Sequence, residues 1–368
     1  FDAMSDGMKQ VFIASYGIVP RLSFNNSLYP GLFKIVIADE SHMIKSMTAQ
    51  RTIHTVPLLQ KAKRAICLTG TPLLSRPIES FTTLLSLLPE VFAEKDYRVF
   101  AERYCGAKVG PLGLDVSGCT NSSELKLILE STVMVRRLKE NVMDEMLPEK
   151  AREIVLVPVD SEINCEIKML LRERSDIGSM LKDNELSMAE KASLKIEQRN
   201  ISMKLWKLTG QGKIGGIVSH LMEVLSKDTE RKVVVFAHHL EVMDAIERAM
   251  HSNQIELVRI DGNTPKAKRQ TFVDQFQNDS ELRMILLSIT AASTGITLTK
   301  ASLAIFAELY WTPGIMAQAE DRIHRIGQKS KCLIQFLLTK SPSMDQNLLG
   351  LIKLKQKVLK DTTGISNG

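Results

Sequence analysis

Cysteine is scarce in this chain, and its pattern excludes two kinds of covalent or metal stabilisation. The five cysteines are scattered along the sequence, and no two of them form a C-x-x-C pair. They are Cys67, Cys105, Cys119, Cys165 and Cys332. This pattern argues against a disulfide framework and against structural zinc, and it fits a reducing compartment. No apolar run approaches the length that crosses a bilayer, so we expect no membrane partner.

A P-loop that would cradle nucleotide phosphates is also missing. The one Gly-Lys pair is Gly212-Lys213. A Walker A motif needs a glycine five positions before its last glycine, where Lys207 stands, and a Ser or Thr after the lysine, where Ile214 stands. The chain also opens at Phe1, without a Met, as an excised fragment does.

Composition and length fit an ordinary globular protein with more than one domain. The chain has 368 residues, with 44% hydrophobic and 24% charged residues. This length suits two domains, each of which can bury a core. The formal net charge is +6. Such a mild positive balance is compatible with a polyanionic partner but does not by itself indicate one.

Short apolar strands alternate with helical segments in two regions, which predicts an α/β fold with parallel sheets. Residues 161–207 separate the two regions; they are highly charged, contain no proline and predict long helices that are mostly solvated or cross between domains. The predicted strands cover residues 34–38, 65–68, 154–159, 232–238, 255–261, 283–288, 303–308 and 333–338. Four further expectations are a strand-like run over 10–19, a Gly-rich loop over 109–121, and helices over 124–146 and 313–326.

The chain is organised around one of these strands, which ends in two carboxylates. Apolar residues 35–38 run directly into Asp39 and Glu40. A strand that is apolar on both faces is typical of the centre of a parallel sheet, where functional residues follow its carboxyl end. Asp39 would then hold a nucleotide-bound Mg²⁺, and Glu40 would orient or deprotonate a water. The alternative is a strand end that happens to carry Asp-Glu.

Two loops rich in small hydroxyl residues also follow predicted strands. Residues 69–72 read Thr-Gly-Thr-Pro, and this loop can approach the acid pair and relay its state. Residues 288–298 contain several Ser and Thr side chains that can grip a phosphate backbone. The alternatives are a plain turn for the first loop and a loop with a short helix for the second.

The segment 318–328, QAEDRIHRIGQ, carries the strongest single signal. Arg322 and Arg325 are three residues apart, so on a helix they would share one face. Two planar, permanently charged guanidinium groups suit the charge that develops on a transferring γ-phosphoryl group. The alternative is a surface helix with ordinary ion pairs such as Asp321–Arg325.

The order of these motifs along the chain carries a family resemblance. IADESH, LTGTP, VVVFAHH, RIDG, LLSITAASTGITLTKA and QAEDRIHRIGQ follow one another as the motifs of superfamily-two helicases do. The chain resembles the Swi/Snf-related ATPases, and AELYWTPG and the RIGQ ending resemble the annealing-helicase, fork-remodelling branch, which includes the HARP-type proteins. The resemblance implies two RecA-like lobes, the first of them truncated, with helical insertions between the lobes.

The resemblance also implies a role for each matching residue. Asp39 would coordinate Mg²⁺ and Glu40 would activate water, while Arg322 and Arg325 would be arginine fingers supplied by the second lobe. Gln318 and Gly295 would lie at the ATP site. The residues implied to couple ATP to DNA are Ser41, His42, Thr69, Gly70 and Thr71. Those implied to face DNA are Asp261, Gly262, Lys266, Lys268, Ser288, Thr290, Thr294 and Thr297.

The domain boundaries follow from the same resemblance. A truncated first lobe with a helical protrusion is expected over 1–148, a helical protrusion or linker over 149–210, the second lobe over 211–360 and a frayed tail over 361–368. The implied protein is a nuclear, DNA-dependent ATPase that uses ATP and Mg²⁺ on double-stranded or forked DNA. Replication or repair proteins would be recruited through domains outside this chain.

Two other functions remain open. The chain can be a degenerate, non-hydrolysing module of the same fold that binds DNA or a protein partner, or an RNA helicase of the same superfamily. Three basic clusters are candidate phosphate contacts, with solvated surface charge as the alternative for each. They are Lys61/Lys63/Arg64, Arg136/Arg137/Lys139 and Lys266/Lys268/Arg269.

Overall fold

The computed structural model describes residues 11–71, 73, 75–137, 147–183, 185–291 and 295–363. The chain forms two compact units. The first contains residues up to Arg136 together with residues from Lys355 onward, and the second runs from Arg137 to Leu354. The second unit includes the helices of the segment 149–210, and the predicted boundaries at residues 148 and 210 stay predictions.

The first unit has short helices, one parallel strand pair and one hairpin. Its elements are α1 (Val19–Phe24), β1 (Ile35–Ala38), α2 (Gln50–Lys61), β2 (Arg64–Cys67), α3 (Phe81–Leu87), α4 (Tyr97–Cys105), β3 (Lys108–Gly110), β4 (Gly113–Asp115) and α5 (Ser122–Thr132). The strands β1 and β2 are parallel, with Ile35 opposite Arg64 and Ala38 opposite Cys67.

The sheet of the first unit is buried on one face only. Ala38 packs with Ile44 and Leu59, and all three side chains are buried. Ile35 and Ile37, in contrast, leave 52% and 59% of their surface exposed. The prediction of a strand buried on both faces was therefore wrong for the described residues. The larger core of this unit is aromatic. The ring centroid of Phe81 lies 5.3 Å from that of Phe100 and 5.4 Å from that of Tyr97.

The second unit alternates strands and helices almost throughout. Its elements are β5 (Lys150–Val157), α6 (Ser161–Met180), α7 (Met188–Gly212), α8 (Ile214–Lys227), β6 (Val233–Ala237), α9 (Leu240–Ser252), β7 (Leu257–Ile260), α10 (Lys266–Asn278), β8 (Met284–Ser288), β9 (Leu303–Phe306), α11 (Pro313–Glu320) and β10 (Cys332–Thr339). The helix α12 (Met344–Thr363) begins in this unit, and its residues from Lys355 onward belong to the first.

Six parallel strands form the sheet of the second unit, in the order β5-β10-β9-β6-β8-β7. Strand β6, with the sequence VVVFA, is buried at every position because helices cover both faces. One core contains Phe236, Phe276 and Leu205, and the core on the other face contains Val235, Leu221 and Ile246. The sequence prediction of a parallel α/β sheet flanked by helices is confirmed.

The long charged segment between the two predicted regions forms two helices whose residues are mostly exposed, with a few buried apolar side chains along one side. Asp160 caps helix α6, since its carboxylate accepts the backbone N–H groups of Glu162 and Ile163. Helix α7 begins with a capping box between Ser187 and Glu190. Their apolar residues pack against the sheet, and Leu205 is completely buried. These helices are thus structural parts of the second unit.

Four local expectations differ from the structure. Residues 11–15 form no strand, and helix α1 begins at Val19 with Pro20 in its first turn. The predicted loop 109–121 contains the hairpin of β3 and β4, which Gly113 permits by adopting a φ of +99°. The helix predicted over 124–146 ends at Thr132, and residues 138–146 lie outside the described residues. The helix predicted over 313–326 ends at Glu320.

Among the described residues no helix has the length and apolarity that a bilayer span requires.

Candidate nucleotide and nucleic-acid site

The acid pair lies in a strained turn at the carboxyl end of β1. Glu40 adopts a φ of +48°, the left-handed region that residues other than glycine rarely occupy. Its backbone N–H donates to a carboxylate oxygen of Asp39 at 2.9 Å. The hydroxyl of Tyr16 donates to the Asp39 carbonyl at 2.7 Å. Backbone strain of this kind persists where the surroundings enforce it, and it clusters at functional sites.

The turn is joined to the loop that follows β2. The backbone N–H of Ser41 donates to the carbonyl of Leu68 at 2.9 Å. Nδ1 of His42 lies 3.1 Å from the hydroxyl oxygen of Thr69 and 3.2 Å from a carboxylate oxygen of Glu40. That hydroxyl also accepts the backbone N–H of Thr71 at 3.1 Å. The structure therefore brings the acid turn and the Thr-Gly-Thr loop into direct contact.

The surroundings of His42 favour the neutral form of its ring. Burial and the nearby Lys45 ammonium lower the pKa of His42 below its ordinary value of 6.5. The contact of Nδ1 with the Thr69 hydroxyl has hydrogen-bond geometry, whereas the contact with Glu40 is a short distance that becomes an ion pair when the ring is protonated. Of the predicted coupling residues, Gly70 and Thr71 follow Thr69 in the loop, and Pro72 lies outside the described residues.

Sequence reasoning missed a link between the segment that follows the acid turn and the helical turn over 77–80. The ammonium of Lys45 lies 2.7 Å from the carboxylate of Glu79, which is 8% exposed. Glu79 also accepts the backbone N–H and the hydroxyl of Ser75. In the sequence, Glu79 only marks the start of an amphipathic helix. No local pattern indicates that it pairs with a lysine 34 residues earlier.

In the second unit, the structure connects the hydroxyl-rich loop with the arginine segment. Arg325 donates to the hydroxyl of Thr297 at 3.1 Å, and the backbone N–H of Leu298 donates to the carbonyl of Arg322 at 2.8 Å. Ser288 is buried and lies 3.1 Å from the hydroxyl of Thr290. Gly295 is exposed, whereas the predicted DNA contact at Thr294 lies outside the described residues.

The two arginines do not share a helix face, so that expectation was wrong. Helix α11 ends at Glu320, and the next turn is closed by tighter i→i−3 bonds from Arg322 and Ile323. Arg322 is 7% exposed, whereas Arg325 is on the surface. We call residues 321–328 the arginine turn.

The arginine turn is closed by the amide of Gln328. Its nitrogen donates to the carbonyls of Ala301 and Ile323, and its oxygen accepts the N–H groups of Lys329 and Ser330. Gly327 adopts a φ of +98°, which suits glycine at this position. Gln318 is buried in α11, ahead of the turn.

The turn after β7 is built around Asp261. Burial alone would raise the pKa of Asp261, but the backbone N–H of Asn263 and the Arg259 guanidinium outweigh it and lower that pKa. Arg269 donates to the carbonyls of Asp261 and Thr264. The guanidinium predicted as a phosphate contact therefore holds this turn together.

The remaining residues that were predicted to contact phosphate groups are mostly on the surface. Gly262, Lys266 and Lys268 are exposed beside the Asp261 turn. Lys61 and Arg64 are exposed near β2, and Arg137 is exposed whereas Arg136 is half-buried. Lys139 lies outside the described residues.

The residues present fit part of a magnesium nucleotide site. Asp39 offers one exposed carboxylate at the carboxyl end of a parallel strand. Mg²⁺ takes one or two carboxylates and completes its shell with water and phosphate oxygens, so a single carboxylate suits it. The described residues contain no cluster of three or more metal-ligating side chains.

The structure combines parallel strands that end in polar turns, an acid pair and the arginine turn. This combination is typical of the helicase-like class of nucleotide-dependent proteins. Family models place this chain in one group of that class. Residues 2–207 match the SNF2-related domain, and residues 216–327 match the helicase conserved C-terminal domain. The chain therefore belongs to the SNF2-related family.

Two curated relatives resemble most of the chain. It is 38% identical over 327 residues to the SWI/SNF-related matrix-associated actin-dependent regulator of chromatin subfamily A-like protein 1 of Xenopus tropicalis, covering 89% of this chain and 33% of that protein. It is 38% identical over 334 residues to the human DNA annealing helicase and endonuclease ZRANB3, covering 90% of this chain and 30% of that protein. The predicted annealing-helicase branch is thereby confirmed, and the chain spans about a third of each relative.

A solved structure is similar at lower identity. It is the crystal structure of the C-terminal part of the Fun30 ATPase domain, with 20% identity and a TM-score of 0.47. The alignment covers 59% of this chain and 99% of that structure.

Proposed function

We propose that this chain is the larger part of a DNA-dependent ATPase motor that anneals or remodels forked DNA. The observation that carries the proposal is the contact of His42 with both Glu40 and Thr69. It joins an acid pair at the end of a parallel strand to a loop that can report the state of that pair. Membership in the SNF2-related family and similarity to a DNA annealing helicase support this reading.

In this proposal the first unit holds the metal and the water. Asp39 is a ligand of the Mg²⁺ that accompanies ATP, and Glu40 activates the attacking water. Ser41, His42 and residues 69–71 transmit the state of the site to bound DNA.

The second unit contributes positive charge and DNA contacts. Arg322 and Arg325 stabilise the charge that develops on the γ-phosphoryl group, while Gln318 and Gly295 lie beside the nucleotide. Ser288, Thr290 and Thr297 contact the phosphate backbone of double-stranded or forked DNA. The Asp261–Gly262 turn, with Lys266 and Lys268, adds further contacts of the same kind.

A phosphate cradle is absent from these 368 residues, since no Gly-Lys-Ser/Thr sequence occurs in them. The β- and γ-phosphates would lack their principal ligands. We infer that this chain by itself hydrolyses ATP negligibly and that turnover needs the longer natural polypeptide that contains it. The family suggests a nuclear protein that works with replication or repair factors.

Steady-state ATP hydrolysis with and without fork DNA tests the proposal. We expect DNA-stimulated turnover in the longer polypeptide and almost none in this chain. In the longer polypeptide, Glu40→Gln should lower kcat by about 10²–10⁴, and Arg325→Ala by about 10³ or more. Glu102→Gln, which alters an exposed ion pair of the first unit, is the matched control and should leave kcat unchanged. Turnover of Glu40→Gln at the wild-type rate would refute the assignment.

The salt dependence of DNA binding tests the nucleic-acid contacts separately. Replacing Lys266 and Lys268 by alanine should flatten the plot of log K against log salt by about 2. Lys227→Ala, which removes an exposed lysine paired with Glu223, should leave the slope unchanged if it lies outside the DNA path. A wild-type affinity that is independent of salt would refute the proposed phosphate contacts.

The missing Gly-Lys-Ser/Thr sequence also favours one second function. The chain would then be a non-hydrolysing module of the same fold that binds DNA or a partner protein. The ATPase assay separates the two, because this module would bind fork DNA while the longer polypeptide shows no DNA-stimulated turnover.

A further inference from the structure

We propose that Lys150 and Arg152, on the edge strand β5, are positioning residues for the arginine turn. The inference rests on the proposed function, because it assigns these residues a role in placing Arg322 and Arg325. Nothing in the sequence motifs points to β5, which lies about 170 residues before the turn. All the groups involved belong to the second unit.

The first contact is made at the start of the turn. Glu320 is the last residue of α11 and is 4% exposed. The Arg152 guanidinium donates to both of its carboxylate oxygens, at 3.1 Å from Nε and 2.6 Å from Nη2. Nζ of Lys150 donates to one of those oxygens at 3.1 Å. We call Lys150, Arg152 and Glu320 the Glu320 ion cluster.

The second contact is made within the turn itself. The carbonyl of Glu320 accepts the backbone N–H groups of Ile323 and His324, which closes the turn around Arg322. Nε2 of His324 donates to the carbonyl of Pro148 at 2.8 Å. The segment 148–152 therefore holds the turn on both sides of Arg322, through Glu320 before it and His324 after it.

This segment is itself rigidly placed. Every residue of β5 is paired with β10, from Lys150 opposite Cys332 to Val157 opposite Thr339. The backbone N–H of Cys332 donates to the carbonyl of Glu149 at 2.9 Å. The arginine turn is thus held in a fixed position relative to the sheet through its contacts with β5 and Pro148. The described residues of the turn are not themselves paired in the sheet.

The chemistry of the Glu320 ion cluster indicates positioning rather than stability alone. A buried ion pair often contributes no more stability than apolar side chains of the same volume would. A bidentate guanidinium fixes the plane of a carboxylate, however, which a lysine ammonium cannot do. Fixing the Glu320 carboxylate fixes the last residue of α11, from whose carbonyl the arginine turn is hydrogen-bonded.

Such precision matters for the proposed reaction. Groups that stabilise a transition state must be held close to the productive geometry, and a displacement of about 1 Å can cost about 10²-fold in rate. Arg325 also donates to Thr297, so a shift of the turn would break that hydrogen bond too. Loss of the cluster should therefore reduce turnover more than it weakens ATP binding.

Kinetics of the longer natural polypeptide with fork DNA test the inference. Arg152→Ala should lower kcat for ATP hydrolysis by about 10–10²-fold, with KM for ATP nearly unchanged. Arg152→Lys should recover part of the loss, because it restores the charge without the bidentate geometry. Lys331→Ala is the matched control, since it breaks an exposed ion pair with Glu149 beside β5. It should leave kcat unchanged.

A double-variant cycle with Arg325→Ala separates positioning from general damage to the fold. If Arg152 acts through the arginine turn, Arg152→Ala should cost much less in a protein that already lacks Arg325. An equal cost in both backgrounds overturns the inference, and so does a kcat for Arg152→Ala that equals the wild-type value.

Hydrogen exchange in the present chain supplies a measurement that does not depend on ATP hydrolysis. Arg152→Ala should speed exchange of amides in residues 321–328 and leave those of β6 protected. Unchanged exchange in 321–328 overturns the inference even where turnover falls. If the longer wild-type polypeptide shows no DNA-stimulated turnover, the proposed function is refuted. The hydrogen-exchange result then still tests whether Arg152 positions the arginine turn.

Discussion

Nδ1 of His42 lies 3.1 Å from the hydroxyl oxygen of Thr69, 27 residues later in the chain. Removing that hydroxyl while keeping the side-chain shape, as Thr69→Val does, deletes two hydrogen bonds, because Thr69 also accepts the N–H of Thr71. We expect a loss of about 1 kcal/mol per hydrogen bond in the free energy of unfolding of the first unit. Urea unfolding followed by far-UV circular dichroism measures it.

The same substitution also tests coupling. In the longer polypeptide that we propose contains this chain, Thr69→Val should reduce the stimulation of ATP hydrolysis by DNA more than the basal rate. Thr48→Val, at an exposed position of the same unit, is the control and should change neither quantity. Equal losses in the basal and the stimulated rate would mean that Thr69 supports the fold without coupling the two activities.

The neutral ring of His238 predicts a pH-dependent stability for the second unit. His238 stacks on Trp206 with 4.3 Å between ring centroids, and burial together with His239 lowers its pKa below 6.5. The unfolded chain takes up a proton as the pH falls through 6.5, whereas the folded state resists it. Stability should therefore fall as the pH drops from 6.5 towards the lower folded-state pKa, and then level off.

Denaturant unfolding at several pH values between about 7.5 and 5 checks this expectation. Both tryptophans, Trp206 and Trp311, are in the second unit, so their fluorescence reports on that unit. His238→Phe keeps a ring against Trp206 and removes the titrating group, so its stability should fall less steeply over this interval. Parallel curves for the wild type and the variant would exclude His238 as the cause.

A buried lysine should be far more costly to remove than an exposed one. Lys213 is 0% exposed and donates to the carboxylate of Asp345 at 3.0 Å and to the carbonyl of Leu337 at 2.8 Å. Lys213→Met leaves the Asp345 carboxylate buried without its cation. We expect a loss of about 3–5 kcal/mol in the free energy of unfolding.

The control is a lysine in an equally short but exposed ion pair. Lys227 lies 2.6 Å from Glu223, and both side chains are largely exposed. Lys227→Met should leave the stability within experimental error of the wild type. If both variants lose the same free energy of unfolding, the burial of the Lys213–Asp345 pair does not account for the cost of removing Lys213.

Periodicity predicted much of the regular part of the fold, since β6 and most of β8 are apolar runs that lie in the covered parallel sheet. Contacts between distant segments could not be predicted in this way. His238 and His239 are adjacent, yet one ring stacks on Trp206 and the other donates to Glu308, 69 residues away. The arginine turn is a second example of a feature that periodicity did not predict. The helix-like spacing of Arg322 and Arg325 continues the pattern past Glu320, but the helix itself ends at Glu320.

Packing at the start of α8 provides a prediction with a control at the neighbouring residue. A Cβ added to Gly216 would lie 2.8 Å from Cβ of Val157 and 2.9 Å from the carbonyl oxygen of Pro158. The carbonyl is backbone at the end of β5 and cannot move aside without disturbing the strand. Gly216→Ala should therefore destabilise the second unit by about 1–3 kcal/mol.

Gly215 lies in the same turn of the helix, but a Cβ added there would meet no atom within 4 Å. Gly215→Ala should stabilise the unit by about 0.4–1 kcal/mol, because alanine restricts the unfolded chain and favours the helix. Tryptophan fluorescence during urea unfolding measures both variants under the same conditions. Opposite signs are expected at these adjacent positions. A stabilising Gly216→Ala would show that Pro158 and the end of β5 can yield, and the tight contact between α8 and β5 would then have no energetic consequence.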